Sequence, residues 1–244
     1  MVVSRSVVKT DGDLPKAAWL WLPLFTLGLI LAGRLAGTEF YDRWFYGELG
    51  IVELSTAVFS LSAAILAILA WRQRRRLPGR ILGPWLIIFA LGAIYFAGEE
   101  MSWGQHFLQW QTPASIQEVN DHGETNLHNI TNWADEKPKK LVELATIIGG
   151  ILIPIIMLVK GIRLSPARDW RYWFLPTYAV IVPSIIASVL KSIERVQQNF
   201  DWYPGELLDM RMSEPQEMYF GLFFLLYAWS FLHRIKTQEP AAAG

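Results

Sequence analysis

Two short stretches carry most of the residues able to do chemistry. Residues 97–110 read AGEEMSWGQHFLQW, and residues 121–133 read DHGETNLHNITNW. If the first stretch is helical, Glu99, Ser102 and His106 share one face at spacings i, i+3 and i+7. A carboxylate, a hydroxyl and an imidazole on one stripe can bind a metal, activate a water or relay a proton. Glu100 then points about 100° away and is expected to reach another partner, either the 122–128 stretch or a basic residue such as Arg211. In the second stretch Glu124 and His128 stand at i and i+4, a metal-compatible spacing on a helix. With His106 and His122 they form a candidate ligand set for Zn²⁺ or another divalent cation. Gln105, Asn126, Asn129 and Asn132 offer neutral hydrogen-bonding groups for substrate or for holding the ligands in place. Glu217, one turn beyond Glu214 near the C-terminal end, is expected to point inward beside them. The plainer alternative is a polar helix end surfacing into water, followed by an ordinary exposed loop.

The chain that must position these residues is apolar. Of its 244 residues 52% are hydrophobic and 18% charged, and mean hydropathy is +0.26. This balance exceeds that of a soluble domain and points to a polytopic membrane protein in a lipid bilayer. Net charge is zero, so no overall basic field recruits nucleic acid. The absence of cysteine excludes disulfides, thiolate metal sites and cysteine nucleophiles.

A crossing needs about 20 mostly apolar residues. Six segments qualify, near 17–36, 50–71, 81–98, 141–162, 172–190 and 216–232, with Pro154, Pro176 and Pro183 inside spans. No alternating ten-residue pattern suggests strands. The expected fold is all-α: one integral membrane domain over residues 1–244, of about six transmembrane helices. A short amphipathic helix in the loop beyond span three, carrying Leu127, Ile130 and Trp133, completes it. The N-terminus does not read as a cleaved signal, because Asp11 and Asp13 interrupt its basic residues; the first apolar run is expected to be retained.

Loop 72–80, RQRRRLPGR, holds five arginines and no acid. That bias places it in the cytoplasm, with both termini, and puts segment 99–140 on the opposite face. Glutamates on several spans, including Glu53, Glu99, Glu100, Glu143 and Glu217, then reach similar depth at that opposite face. Glu53, Glu143 and Glu194 are explained by solvation, by helix dipoles or by pairing with Arg34, Lys191, Arg195 or Arg211. Ser213 and Pro215 at a helix start explain Glu214. Glu99 and Glu100 sit where a helix dipole disfavours anions, and ionisable groups at membrane depth are functional candidates by default. Tryptophans cluster near both ends of the spans, as interfacial belts do.

GEEMSWGQ followed by GETNLHN resembles a motif pair of uncharacterised bacterial multi-pass membrane proteins, which implies a bacterial inner membrane and brings no activity with it. More weakly, Glu99-Glu100 with His128-x-x-x-Asn132 is similar to the CaaX-protease and bacteriocin-processing membrane peptidases. Those spread their motifs over separate helices. Ser102-x-x-x-His106 resembles the ceramidase-like CREST hydrolases, although their late paired histidines are missing and only His233 follows. The preferred reading of the polar residues is a membrane enzyme with a site opening outward, expected to carry out metal-assisted hydrolysis of a lipid-linked or envelope substrate. Glu99, Glu100, Ser102 and His106 would be catalytic, with metal held by His106, His122, Glu124 and His128. The alternative classes are a cation or solute transporter and an accessory subunit of a membrane complex. The lack of an internal repeat weighs against the transporter.

Overall fold

A computed structural model describes residues 13–237 apart from 48, 114–131, 163, 165–168 and 204; of His106, residues 132–136 and Glu206 it describes the backbone alone. All regular structure among the described residues is helical. Six helices are long and apolar enough to cross a membrane: Ala17–Leu35, Ile51–Arg72, Leu82–Glu100, Lys137–Val159, Trp170–Phe200 and Ser213–Thr237. They are called spans one to six.

Span six is the hub. Within its most apolar window 83% of residues are buried, against 17% in span four. Bulky residues surround span six on all sides, so its neighbours must supply the room. Span two does so with a stripe of small residues. Thr56, Ser60, Ala63, Ala67 and Ala70 recur at three- and four-residue spacing and are all buried, while Val58, Leu61, Ile65 and Ile68 are exposed. Small residues inside and large ones outside is how membrane helices approach closely. Gly221 shows how close: a Cβ added there would lie 2.9 Å from the Thr56 carbonyl oxygen.

Span three meets span six through aromatic edges, with Phe224 at 5.8 Å from Phe89 and 5.5 Å from Phe96. Polar side chains on span six bond to backbone carbonyls of its neighbours. Tyr219 donates to the Pro23 carbonyl of span one at 2.8 Å, and Tyr227 to the Phe174 carbonyl at 2.8 Å. Trp85 in turn donates to the Tyr227 hydroxyl at 2.8 Å. Without water in a hydrocarbon core, these bonds satisfy groups that would otherwise be costly.

The first three spans end within two residues of where hydropathy places them. Two others differ. Span five is interrupted at Leu175–Thr177, between a short helix at Trp170–Phe174 and a 3₁₀ turn at Tyr178–Val180. Pro176 lies in that gap, where it lacks a backbone donor. The helix then runs to Phe200, ten residues past Leu190, because KSIERVQQNF continues as an amphipathic helix with Leu190 and Gln197 buried. Span four begins at Lys137, inside a helix that starts at Asn132, and passes through a π-helical stretch at Thr146–Leu152. The amphipathic helix expected at 124–133 lies mostly outside the described residues.

Candidate functional site

Gly98 to Gln105 folds differently from the continuous stripe expected of it. Span three remains helical through Glu100 and stops at Met101. Ser102, Trp103 and Gly104 then turn with φ of 44°, 55° and 87°. Left-handed backbone at two non-glycine residues is uncommon and costs of order 1–3 kcal/mol each unless the surroundings impose it. Here they do. The Trp103 indole folds back and donates to Glu99 Oε1 at 2.7 Å. Its ring lies over Gly98, where an added Cβ would stand 2.8 Å away. Gly104 takes the third left-handed position at low cost. Gln105 then donates to Thr112 Oγ1 at 2.9 Å, and Thr112 is buried. Glu99, Ser102 and His106 therefore do not form one helical face: three left-handed residues turn the chain between the first and the last. Ser102 is buried beneath the turn. The GEEMSWGQ motif reads, residue by residue, as a helix stop with Glu99 as its anchor.

Glu100 takes the other direction. It is 8% exposed, as is Glu217 of span six, and the two carboxyl groups are within hydrogen-bonding reach of each other. Lys139, at the start of span four, places its Nζ 2.8 Å from Glu217 Oε1. Glu53, at the start of span two, adds its charge to the surroundings of Glu100. Four spans thus contribute to one polar cluster, in which Glu100 and Glu217 are buried and Glu53 and Lys139 are partly exposed. Two carboxyls so close together need a shared proton or a cation beside them, and Lys139 provides a cation.

The cluster continues towards a cleft. Glu214, one turn before Glu217, has Glu217 and Arg211 beside it and accepts from the Gly47 backbone N–H. Arg211 is hydrogen-bonded to Tyr46. Beyond them opens a cleft of about 610 Å³, lined in part by Arg34, Tyr41, Asp42, Tyr46, Asp209 and Arg211. Arg34 is 7% exposed and stands 5.9 Å from the Tyr41 ring centre. Burial pushes the Tyr41 phenol up to about 12, so it is a hydrogen-bond donor at neutral pH.

Two other acids at this end are held in ion pairs. Glu143 meets Arg195 at 2.6 Å and Glu194 meets Lys191 at 2.8 Å. Of the candidate site residues, Glu100 and Glu217 come together, Glu99 and Gln105 hold the turn, and Ser102 lies under it. His122, Glu124, Asn126, Asn129 and His128 lie outside the described residues, and the side chains of His106 and Asn132 are not described. Among the described residues no group of three or more His, Asp or Glu is arranged to hold a metal ion. Sequence reasoning passed over Lys139, although KPKK at 137–140 is a basic run on an otherwise acidic face. It also passed over the cleft, whose walls come from separated segments.

Comparison with family models, with curated proteins and with solved structures finds no match to this chain. The site is therefore read from its own geometry.

Proposed function

We propose that this chain is an integral membrane protein doing acid–base chemistry on a polar substrate that enters at the glutamate-rich end. The reaction class we infer is hydrolysis of a lipid-linked or envelope substrate. One observation carries this reading: Glu100 and Glu217, from two different spans, are buried within hydrogen-bonding reach of each other. Such a pair can hold one proton between two oxygens, so that one carboxyl gives a proton while the other accepts one from water. Lys139 keeps Glu217 as the acceptor by standing 2.8 Å from it. In this reading Glu99 is a positioning residue that ends the helix so that Glu100 faces span six. If the loop histidines approach, a divalent ion held by His106, His122, Glu124 and His128 would activate the water instead. The arginine-rich loop then faces the cytoplasm and the site faces outward.

The test is product release from envelope lipids in proteoliposomes, followed by mass spectrometry, for the parent, Glu100→Gln and Glu217→Gln. The reading expects both variants to fold and to lose turnover by 10²-fold or more. Turnover unchanged in both would refute it. A second reading is favoured by the Lys139–Glu217 contact itself. A carboxyl cluster already holding an ammonium is suited to exchange it for a transported cation, and ion flux without hydrolysis in the same vesicles would select that reading.

A further inference from the structure

The loop between spans two and three carries five arginines in nine residues, 72–80, and no acid. One of the five has a different task from the rest. The Arg74 guanidinium stands 4.0 Å from the Trp71 ring centre and donates to the Trp71 carbonyl at 3.3 Å. Its stem lies along the start of span three, where a Cβ added at Gly83 would be 3.5 Å from Cδ. Leu77 is buried. Between these anchors Arg74–Arg76 forms a 3₁₀ turn, closed by the Leu77 N–H donating to the Arg74 carbonyl at 3.1 Å. The loop is therefore folded onto the ends of its two spans. Arg72, Arg75, Arg76 and Arg80 remain exposed on it. Among the described residues no carboxylate pairs with them, since the ion pairs there involve Lys139, Arg171, Lys191 and Arg195. The acids at this end are engaged elsewhere: Asp169 by Arg171 at 2.9 Å, Asp13 by the Thr177 and Ser230 hydroxyls. Four like charges on one folded turn repel each other unless an anion joins them. Beside them the apolar surface begins at once, with Ile68 and Leu69 exposed at the end of span two and Ile81 exposed before span three. Guanidinium groups favour phosphate, to which they donate in a planar fork. A basic cluster directly at the end of a span is placed to meet the phosphates of the bilayer.

We propose that loop 72–80 is a binding site for an anionic phospholipid, with Arg72, Arg75, Arg76 and Arg80 on the headgroup phosphate and Arg74 holding the turn that presents them. The partner is a lipid because the arginines are flanked by exposed apolar side chains that an acyl chain covers and a free anion does not. The site lies at the opposite end of the bundle from the glutamate pair and does not depend on the reaction proposed there.

The test is native mass spectrometry of the purified full chain with phosphatidylglycerol and with phosphatidylcholine. Both carry a phosphate, but only the first is negatively charged overall. The parent is expected to retain phosphatidylglycerol preferentially. Each arginine beside anionic lipid is worth about fivefold in binding, so Arg75→Gln with Arg76→Gln should weaken that retention about 25-fold. Phosphatidylcholine should be held as before. Both side chains are exposed, so folding is not at risk, and thermal melting checks it. Trp71→Leu keeps all five charges and removes the ring under Arg74, so retention should fall several-fold with no charge lost; unchanged retention there would overturn the role given to Arg74. Arg195→Gln takes an exposed arginine from the other end and should change nothing. Equal retention of the two lipids by the parent, unchanged retention in the double variant, or an equal fall in Arg195→Gln overturns the proposal. Displacement of bound phosphatidylglycerol by inorganic phosphate, with ionic strength matched by chloride, would show a free-anion site and overturn it as well.

Discussion

The two ends of the bundle treat buried charge in opposite ways. At the arginine-rich end the buried charges are tied to neighbouring polar groups, with Asp13 Oδ1 alone left without a hydrogen-bond partner among the described residues. Arg234 donates to the Tyr172 and Trp173 carbonyls and to the Ser230 carbonyl, the last at 3.3 Å. Tyr172, Trp173 and Phe231 surround it with rings. Asp13 accepts from the Thr177 and Ser230 hydroxyls, which fastens the chain before span one onto spans five and six. At the glutamate-rich end, Glu100 and Glu217 face each other with Lys139 alongside, and the cluster leads to an open cleft. One end uses charge to close the bundle. The other keeps like charges together, which folding alone would not select, since unpaired or repelling carboxyls at membrane depth are expensive.

That contrast can be broken most severely at Arg234. Arg234→Met keeps the long stem and removes the guanidinium, stranding at least two carbonyls. A loss of about 3 kcal/mol is expected, read as a fall in thermal midpoint in detergent, with turnover in the surviving folded fraction unchanged. A midpoint equal to the parent's would mean that this end is not held together by charge. Gly98→Ala should follow, at roughly 1–3 kcal/mol, because the Trp103 ring has to lift. Since that lift also releases Glu99, turnover should fall more than stability does. Trp103 fluorescence, read in a variant lacking the other interfacial tryptophans, reports the displacement. Glu100→Gln sharpens the contrast from the other side. Replacing one of two like charges with a neutral isostere should leave the melting midpoint unchanged or raise it, while function disappears. A drop as large as that of Arg234→Met would make Glu100 structural. The smallest effect is expected for Arg195→Gln. Its partner contact with Glu143 is at 2.6 Å, but the arginine side chain is 57% exposed, and such pairs contribute under about 1 kcal/mol.

The spans were legible because each is a long apolar run bounded by charge. Spans one to three end almost where hydropathy ends. Span five was misread in two physical ways: Pro176 breaks it, and its amphipathic tail past Leu190 packs on its neighbours without being apolar throughout. The two adjacent glutamates were legible as unusual, and their divergence follows from helix geometry. Their division of labour was not legible. It depends on a helix stop that requires Ser102 and Trp103 in left-handed conformations, which neither residue type signals. Glycine at 98 and 104 was the available hint, since one makes room for the indole and the other takes the turn. The partner of Glu100 was out of reach, because nothing local says that span three lies against the start of span six. Lys139 could have been noticed from KPKK, but its contact with Glu217 depends on the same helix arrangement.

The most direct test of the account is a double-mutant cycle on unfolding, using Glu100→Gln, Glu217→Gln and the double variant in one detergent. Groups in contact couple by about 0.5–3 kcal/mol, whereas distant sites add to within about 0.3–0.5 kcal/mol. If Glu100 and Glu217 form a pair, the double variant should depart from the sum of the single ones by 1 kcal/mol or more. Additivity within about 0.5 kcal/mol would contradict the pair and, with it, the proposed site.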